Sequence, residues 1–442
     1  MRYFFSLILF FISNKSLSQE PVSSQFLYVG ESQYKITYFS PSNLNFTNNN
    51  IKRLVIVLHG NSRTAEQRQN AIIQAANSEN KYLETLIVSP HFIGTQELVA
   101  NELDDYHLYW SSASWMDGSP SSSSGAYPRD ESFSSFEVMD NIISHIIYSE
   151  KFPNLTQIIL TGFSGGGQFV NRYAASNRVQ EDLEIEYNIE FKYLVASPSS
   201  YLYFNDERRL DDSVDEFEKP SNTNCGTYNN YKYGLNQMNQ YMKYFHVDTL
   251  INRYKRRSIS YGVGKRDNNP NSSSLDKTCP AMFQGDHRLE RAIIYNNYLK
   301  YFFGDLGDNH KLYTLNGVGH DSFVFYNKSE IRKLLFPEIQ NSPNQPLNIE
   351  KELSIKVFPS IGSNKLFVEG NFSEKPHFLI YDEYGNKIIN FESSYLNKSK
   401  FSVNTSRLDD GLYIIFFNIY IPCHNINTMV ISSNIFHPKN IV

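Results

Sequence analysis

Cysteine is scarce in this sequence of 442 residues, which contains only three. Three cysteines cannot form the framework of a small disulfide-rich domain. The sequence also contains no CxxC pair and no cluster of His and Cys residues that would indicate a zinc site. Cations are not in excess either, because 41 Lys and Arg stand against 46 Asp and Glu, a formal net charge of -5. Since binding to nucleic-acid phosphates needs clustered cations, a general nucleic-acid-binding protein is disfavoured. The sequence predicts no metal site, no cofactor and no nucleic-acid partner.

Long apolar runs are also missing, since a membrane-spanning helix needs about 20 apolar residues. Residues 3–12 form a short apolar run after Arg2 and before a small, polar stretch, which is the layout of a secretory signal peptide. A retained membrane anchor is the weaker interpretation because the run is too short. A second run, residues 412–421, is rich in Ile, Tyr and Phe and favours a buried strand. We therefore predict a signal peptide over residues 1–18, no membrane span, and a secreted or cell-surface protein.

The chain is long enough for two or three domains, and its 40% hydrophobic residues can build real cores. Residues 337–349 read PEIQNSPNQPLNI, and their three prolines exclude a helix or a central strand, so this segment is predicted to be a linker. In residues 19–336, apolar runs alternate with helix-compatible stretches, which predicts an α/β domain with a mostly parallel sheet and helices on both faces. Residues 350–442 carry short alternating strands and turn signals, which predict a small β sandwich.

The segment of residues 157–173 holds an apolar strand, the sequence Gly162-Phe163-Ser164-Gly165-Gly166, and then a helix-like run. This order predicts a nucleophile elbow, a tight turn that presents a serine hydroxyl at the carboxyl end of a strand. Glycines are needed on either side because side chains there would collide with the neighbouring strand and helix. A glycine-rich turn without chemistry is the alternative, and the flanking strand and helix disfavour it.

Serine needs a base within hydrogen-bond reach and an anion that orients the base. In this architecture the acid and then the histidine follow the serine along the chain. His320 lies in a Gly-Val-Gly-His turn after the strand-like residues 311–315, and Asp267 follows the strand-like residues 259–263. Asp276 and Asp321 remain alternatives for the acid. For His320, a loop histidine that caps a helix is the alternative.

Two backbone amides are predicted to form the oxyanion hole. One is the amide of Gly165, at the start of the helix that follows the serine. The other is the amide of Asn61, in the loop after the strand-like residues 54–58. His59 ends that strand and is predicted to orient the loop by hydrogen bonds rather than to transfer protons.

Residues 90–133 make a long excursion that contains Trp110, Trp115, Tyr127 and a serine-dense stretch. A loop of this length is usually a lid or a mobile insert, and we favour a lid whose three aromatic residues line the substrate pocket. The aromatic stretch over residues 228–245 either lines the same pocket or packs in the core.

Several segments resemble a largely uncharacterised family of secreted α/β-fold serine hydrolases over about residues 50–330. They are PNLTQIILTGFSGGGQFVNRYA, SPSSYLYFN, YKYGLNQM, LDKTCPAMFQGDHRLERA and GVGHDSFVF. The resemblance implies the α/β-hydrolase fold and a catalytic triad of Ser164, Asp267 and His320. It also implies that Cys225 and Cys279 belong together, which export to an oxidising compartment would allow. Cys423 would then be left over, and three separate buried thiols are the alternative.

The tail resembles the C-terminal sorting domain of type IX secretion in its IKVFPS, IYDEYGNKI and LDDGLYI segments. The resemblance implies that the secretion machinery is a partner of this domain. The chain departs from the family by continuing through IPCHNINTMVISSNIFHPKNIV after the expected last strand. A carbohydrate-binding sandwich is the alternative for the tail.

The sequence as a whole predicts a secreted serine hydrolase, and a carboxylic-ester hydrolase before other kinds. Its substrate would be a small-molecule or polymer-linked ester, hydrolysed through an acyl-enzyme intermediate. A serine peptidase of the same fold and a catalytically silent glycan- or surface-binding protein are the two alternatives.

Overall fold

The computed structural model describes residues 22–221 and 224–339, together with the backbone of the strands between Lys356 and Ile435. The chain divides into two compact units, Met1–Ile339 and Gln340–Val442. The predicted signal peptide over residues 1–18 lies outside the described residues, as do residues 340–349 of the predicted linker. These domain boundaries stay predictions.

The first unit is organised around an eight-stranded sheet. Its strands in chain order are β1 (Phe26–Tyr28), β2 (Lys35–Phe39), β3 (Arg53–Leu58), β4 (Thr85–His91), β5 (Gln157–Phe163), β6 (Glu190–Ala196), β9 (Ser258–Gly264) and β10 (His310–Leu315). Across the sheet they are ordered β1-β2-β4-β3-β5-β6-β9-β10. β1 and β2 pair antiparallel at one edge, and every pair from β4 to β10 is parallel. A separate two-stranded ribbon joins β7 (Arg208–Arg209) to β8 (Phe217–Glu218).

Helices connect these strands. They are α1 (Ala65–Ser78), α2 (Thr95–Ala100), α3 (Ser135–Tyr148), α4 (Gly165–Ser176), α5 (Gln180–Tyr187), α6 (Val247–Arg256), α7 (Cys279–Met282), α8 (Arg288–Phe303), α9 (Ser322–Tyr326) and α10 (Ser329–Leu335). Short 3₁₀ helices cover Tyr82–Glu84, Ala113–Asp117 and Met242–Tyr244. No helix that is both long and apolar enough to traverse a bilayer occurs in residues 22–221 and 224–339.

The central strands are buried on both faces. In β3, whose sequence is RLVIVL, Leu54 and Ile56 face one core cluster, while Val55 and Val57 face another. Residues of α3, α4 and α8 complete the first cluster, and residues of α1, α9 and α10 complete the second. Side chains alternate between the faces of a strand, so an uninterrupted apolar run requires cover on both sides. The predicted α/β domain, with a mostly parallel sheet between two layers of helices, is confirmed.

The second unit contains two antiparallel sheets. Its strands are β11 (Lys356–Pro359), β12 (Lys365–Glu369), β13 (His377–Asp382), β14 (Ser393–Asn397), β15 (Lys400–Asn404), β16 (Gly411–Ile421) and β17 (His424–Ile435). One sheet has the order β11-β12-β15-β14 and the other β13-β16-β17. The apolar run of residues 412–421 forms most of β16, as expected of a strand. The predicted β sandwich stays a prediction, as does its role in sorting.

A disulfide joins Cys225 to Cys279, whose Cα atoms are 5.9 Å apart. It closes a loop between positions 54 residues apart in the sequence. The pairing predicted from the family resemblance is therefore present. Cys423 lies outside the described residues.

A buried carboxyl group ties three segments of the first core cluster together. The hydroxyl of Tyr173 on α4 donates to Oδ1 of Asp140 on α3 at 2.6 Å, and the hydroxyl of Tyr241 donates to Oδ2 at 2.6 Å. Burial raises the pKa of Asp140 to about 6, although both hydrogen bonds oppose the shift. The carboxyl group is therefore protonated in the folded state at a pH where an unfolded chain has already lost that proton.

We predict that Asp140→Asn flattens the pH dependence of stability. Below about pH 4 both states of the wild type bind the proton, and between about pH 4 and 6 only the folded state holds it. The wild-type free energy of unfolding should therefore fall as pH rises through this window, by at most about 3 kcal/mol more than that of the variant. Urea unfolding followed by fluorescence of Trp110 and Trp115, both buried in this unit, measures the difference.

Asp212→Asn is the control, because Asp212 is exposed and the substitution changes the net charge equally. It should leave the wild-type pH dependence in place. Parallel stability curves for wild type and Asp140→Asn between pH 4 and 8 would contradict the assignment.

Candidate active site

Ser164 stands at a sharp turn between β5 and α4. β5 ends at Phe163, α4 begins at Gly165, and Ser164 between them has φ 60° and ψ -113°. This conformation is unfavourable for a residue with a side chain, and it persists because the surroundings fix it. The amide of Ser164 donates to the carbonyl of Ala196 at the end of the neighbouring strand β6, 2.9 Å away.

Close backbone packing explains the glycines around the turn. A Cβ atom on Gly162 would overlap the backbone of Gly166, and one on Gly166 would lie 2.6 Å from the carbonyl oxygen of Leu58. The strand, the helix and β3 therefore approach more closely than any side chain allows. This is the geometry of a nucleophile elbow, in which the serine hydroxyl points away from the crowded backbone.

The three residues of the predicted triad lie in one hydrogen-bonded row. Nδ1 of His320 is 2.6 Å from Oδ2 of Asp267, and Nε2 of His320 is 3.0 Å from Oγ of Ser164. A carboxylate accepts hydrogen bonds, so Nδ1 carries the proton and Nε2 is free to accept the serine proton. Their catalytic roles stay predictions.

Two adjacent loops bring the acid and the histidine together. Asp267 follows β9 and His320 follows β10, and these strands pair in parallel. The amide of Arg266 donates to the carbonyl of Val318 at 2.8 Å, and the amide of Lys265 donates to the carbonyl of Leu315 at 2.9 Å. The carboxyl ends of parallel strands meet at one edge of a sheet, and these backbone bonds fix the loops there.

Of the three candidate acids, only Asp267 has a carboxylate that accepts a hydrogen bond from the imidazole of His320. It is 5% exposed, and Nη1 of the buried Arg288 lies 3.6 Å from its Oδ1. Asp276 instead accepts hydrogen bonds from Tyr233 and Thr278. The carboxylate of Asp321 accepts from the amides of Phe323 and Val324 and so caps α9. The sequence did not single out Arg288, because nothing near it in the chain indicates that it reaches Asp267.

The amides predicted to form the oxyanion hole lie side by side. A Cβ atom on Gly165 would lie 3.3 Å from the amide nitrogen of Asn61. Neither amide donates a hydrogen bond to another residue in the described ranges 22–221 and 224–339. Both N–H groups are therefore available to an oxygen bound next to Ser164.

His59 fixes the loop that carries Asn61. Its ring is fully buried, with Nδ1 2.8 Å from the carbonyl oxygen of Gly60 and Nε2 3.0 Å from the amide nitrogen of Phe92. Nδ1 therefore donates to Gly60, and Nε2 accepts from Phe92. Burial lowers the pKa of His59 well below its ordinary value, so the ring is neutral. These contacts agree with the predicted orienting role.

The structure corrects the predicted pocket residues of the long excursion. Trp110 and Trp115 are both fully buried, and they pack against Phe92 with ring centroids 5.1 and 5.6 Å away. Tyr127 packs against Tyr109 in a separate small cluster. The tryptophans are therefore core residues. The many serines around them in the sequence favoured a solvent-exposed loop instead.

Met116 in the excursion reaches the site, and no local pattern in the sequence indicates this. Its Cε would lie 2.5 Å from a Cβ atom on Gly165, so its side chain covers the turn next to Ser164.

The aromatic stretch over residues 228–245 mainly packs in the protein interior. Its Tyr228, Tyr233 and Tyr241 are buried, and the Tyr231 hydroxyl donates to the carbonyl of Asp117.

No group of three or more His, Cys, Asp or Glu side chains in the described part of the chain is arranged to hold a metal ion. The site consists of a strained serine, an imidazole, a buried carboxylate and two free amides. Such an arrangement can perform nucleophilic substitution at a carbonyl carbon.

No protein-family model matches the chain, and no curated protein matches it. Among solved structures, poly(aspartic acid) hydrolase-1 from Sphingomonas sp. KT-1 is 17% identical, with a TM-score of 0.47 over 72% of this chain and 99% of that one. LpqC, a poly(3-hydroxybutyrate) depolymerase from Bordetella parapertussis, is 21% identical, with a TM-score of 0.44 over 69% and 87% of the two chains. A siderophore hydrolase from Aspergillus nidulans is 12% identical, with a TM-score of 0.33 over 74% and 96%.

The strand order and the elbow together define the fold of the first unit. A mostly parallel eight-stranded sheet carries a serine on the turn after its central strand β5, and an aspartate and a histidine follow later strands in that order. These are the features of the α/β-hydrolase fold.

Proposed function

We propose that this protein is a serine hydrolase that cleaves carboxylic esters. The observation that carries the proposal is the hydrogen-bonded row from Ser164 through His320 to Asp267, with distances of 3.0 and 2.6 Å. A serine in an ordinary loop has no need of a strained backbone or of an imidazole nitrogen at its hydroxyl.

The proposed reaction has two halves. His320 Nε2 removes the proton of Ser164 as Oγ attacks the ester carbonyl, and the amides of Asn61 and Gly165 stabilise the oxyanion that forms. The imidazolium, held by Asp267, then protonates the departing alcohol and leaves an acyl-enzyme. Water repeats the sequence, with His320 as base and Ser164 as leaving group. Each preorganised amide contributes about 10²- to 10³-fold to turnover in enzymes where it has been removed.

An ester is preferred to an amide because its alcohol leaves more readily than an amine. The same residues could act on either bond, so a peptidase is the second outcome of a substrate panel. A catalytically silent binding protein would not need two free amides beside an activated serine.

Export is a further part of the proposal. It is supported by the signal-peptide layout of residues 1–18 and by the tail's resemblance to a type IX sorting domain. The disulfide between Cys225 and Cys279 suits an oxidising compartment.

We predict that Ser164→Ala abolishes both covalent labelling by a fluorophosphonate probe and hydrolysis of 4-nitrophenyl butyrate. The alcohol is the only nucleophile in the proposed mechanism, so kcat should fall by about 10⁴- to 10⁶-fold. Gel fluorescence after labelling and a spectrophotometric ester assay make the measurements.

Ser78→Ala is the matched control, because Ser78 is an exposed serine at the end of α1. The probe should label Ser78→Ala, and this variant should hydrolyse the ester at the wild-type rate. Labelling that persists in Ser164→Ala would refute the assignment of Ser164 as the nucleophile. Wild-type protein that hydrolyses peptides but no ester would favour the peptidase.

We predict that Asp267→Asn lowers kcat by about 10⁴-fold with little change in KM. An asparagine amide can donate to Nδ1, which would move the imidazole proton to Nε2 and leave no acceptor for the serine hydroxyl. Asp321→Asn tests the adjacent acid and keeps the side-chain oxygen that caps α9, so it should retain activity to within about threefold.

Steady-state kinetics of both variants, with thermal melts to show that each is folded, make the comparison. If Asp321→Asn is the inactive variant and Asp267→Asn is active, the acid has been assigned to the wrong residue.

A further inference from the structure

Behind the candidate active site lies a buried arginine that forms no ion pair with any carboxylate in residues 22–221 and 224–339. Arg172 is on α4, about two helical turns after Ser164, and it is fully buried. Its guanidinium donates to the carbonyl oxygens of Met116 and Lys232, at 3.1 and 3.2 Å, and to the side-chain oxygens of Gln168 and Ser200, at 3.3 and 3.0 Å. All of these acceptors are neutral. The positive charge of Arg172 is therefore fixed in place but not neutralised by them.

Lys232, whose carbonyl Arg172 holds, adds a second positive charge. The residue is only partly exposed, and its ammonium makes no ion pair within 4.0 Å and no hydrogen bond to any residue described in 22–221 and 224–339. It lies 5.6 Å from the ring centroid of Tyr233. Burial and the neighbouring Arg172 lower the pKa of Lys232. An ammonium that has lost water without gaining a counterion is costly, and an arriving anion would remove that cost.

Two carboxylates lie in the surroundings of Lys232, and other partners hold both of them. Asp117 accepts hydrogen bonds from the amide and the hydroxyl of Ser119. Asp276 accepts from Tyr233 and Thr278. Both carboxylates act on Lys232 only as nearby charges that raise its pKa, without forming an ion pair with it. The ammonium therefore has no bonded counterion among the described residues.

The contacts of Arg172 connect this cationic pair, Arg172 and Lys232, to residues that surround the nucleophile. Arg172 holds the carbonyl of Met116, whose side chain covers Gly165. Arg172 also donates a hydrogen bond to Ser200. Ser200 follows Ala196 by four residues, and the carbonyl of Ala196 accepts a hydrogen bond from the amide of Ser164. The pair thus shares its supporting residues with the elbow.

The cationic pair lies across the elbow from the histidine. His320 packs against Phe163, with ring centroids 4.8 Å apart, and Phe163 belongs to the core cluster on the α9 face. Met116 belongs to the cluster on the opposite face. The leaving group must depart next to His320, which protonates it, so the Met116 side of Ser164 receives the acyl group.

We propose that Lys232, backed by Arg172, binds a carboxylate carried by the acyl group of the substrate. The preferred substrates are then half-esters of dicarboxylic acids, in which one end is the scissile ester and the other an anion. This inference rests on the proposed ester-hydrolase function and names the acyl class on which it acts.

The test compares mono-4-nitrophenyl succinate with 4-nitrophenyl butyrate, whose acyl chains have the same number of carbons and differ in charge. Lys232→Met keeps an unbranched side chain against Tyr233 and should lower kcat/KM for the succinate ester by about tenfold, while the butyrate value changes less than twofold. Lys232→Arg should restore the preference, because it restores the charge.

Lys243→Met is the matched control, since it changes the net charge equally. Lys243 is exposed and lies between Tyr241 and Tyr244, whose rings stack on Arg178 at 4.0 and 4.2 Å, just beyond the carboxyl end of α4. That end is about 18 Å from the elbow by helix geometry, so the control should keep the wild-type ratio of the two esters.

An unchanged ratio in Lys232→Met, or an equal change in Lys243→Met, would overturn the proposal while leaving the ester hydrolase intact. If neither ester is hydrolysed, the proposed function fails instead, and calorimetry with monomethyl succinate then decides the subsite. The anion site is supported if monomethyl succinate binds to the Ser164→Ala variant but not to the double variant that also carries Lys232→Met. The proposal is overturned if the ester does not bind to Ser164→Ala.

Discussion

The candidate site depends on a short stretch of backbone pairing between the loops after β9 and β10. The amides of Lys265 and Arg266 donate to the carbonyls of Leu315 and Val318, and the approach is so close that a Cβ atom on Gly264 would overlap the carbonyl of Val318. Since Asp267 and His320 follow these bonds by one or two residues, the carboxylate and the imidazole have little freedom to separate. The carboxylate and the imidazole are thus aligned by main-chain geometry, which is stiffer than an exposed ion pair between two long side chains.

Alignment of the serine has a different physical origin. Its hydroxyl is placed by an unfavourable backbone conformation, which the packing of Gly162 and Gly166 against neighbouring backbone maintains. The free amides of Asn61 and Gly165 lie at the same turn, and unpaired N–H groups also oppose folding. The two well-packed core clusters on either face of the sheet must offset both costs. Because the backbone around Ser164 is rigid, its two free N–H groups can stabilise a negative charge on a bound oxygen without rearranging.

The elbow and the positions of Asp267 and His320 could be predicted because each has a local signature, a glycine-rich turn directly after an apolar strand. The sheet could be predicted because strands buried on both faces read as continuous apolar runs. Trp110 and Trp115 could not be placed, because the serines around them looked like a solvated lid. Those serines form hydrogen bonds within the excursion, since the hydroxyls of Ser111 and Ser122 pair and the hydroxyl of Ser121 accepts from the amide of Phe133, so a polar segment packs inward. Arg172 and Lys232 carry no local signal, and only the tertiary structure shows which charges lack a counterion.

Several contacts hold the backbone of the segment that carries Lys232, and this affects the proposed specificity. The disulfide joins Cys225, which precedes it, to Cys279, while the Tyr231 hydroxyl donates to the carbonyl of Asp117 and Arg172 holds the carbonyl of Lys232. If the loop that carries the ammonium were mobile, ordering it would cost entropy and weaken the binding of an anion. A loop that is already ordered loses little entropy when an anion binds. Because the elbow is also fixed, the backbones of Lys232 and Ser164 keep their relative positions, and only the lysine side chain can adjust to an anion. The proposed subsite would therefore select for the charge of the acyl group and, within the reach of one lysine side chain, for the length of the chain between carboxylate and ester.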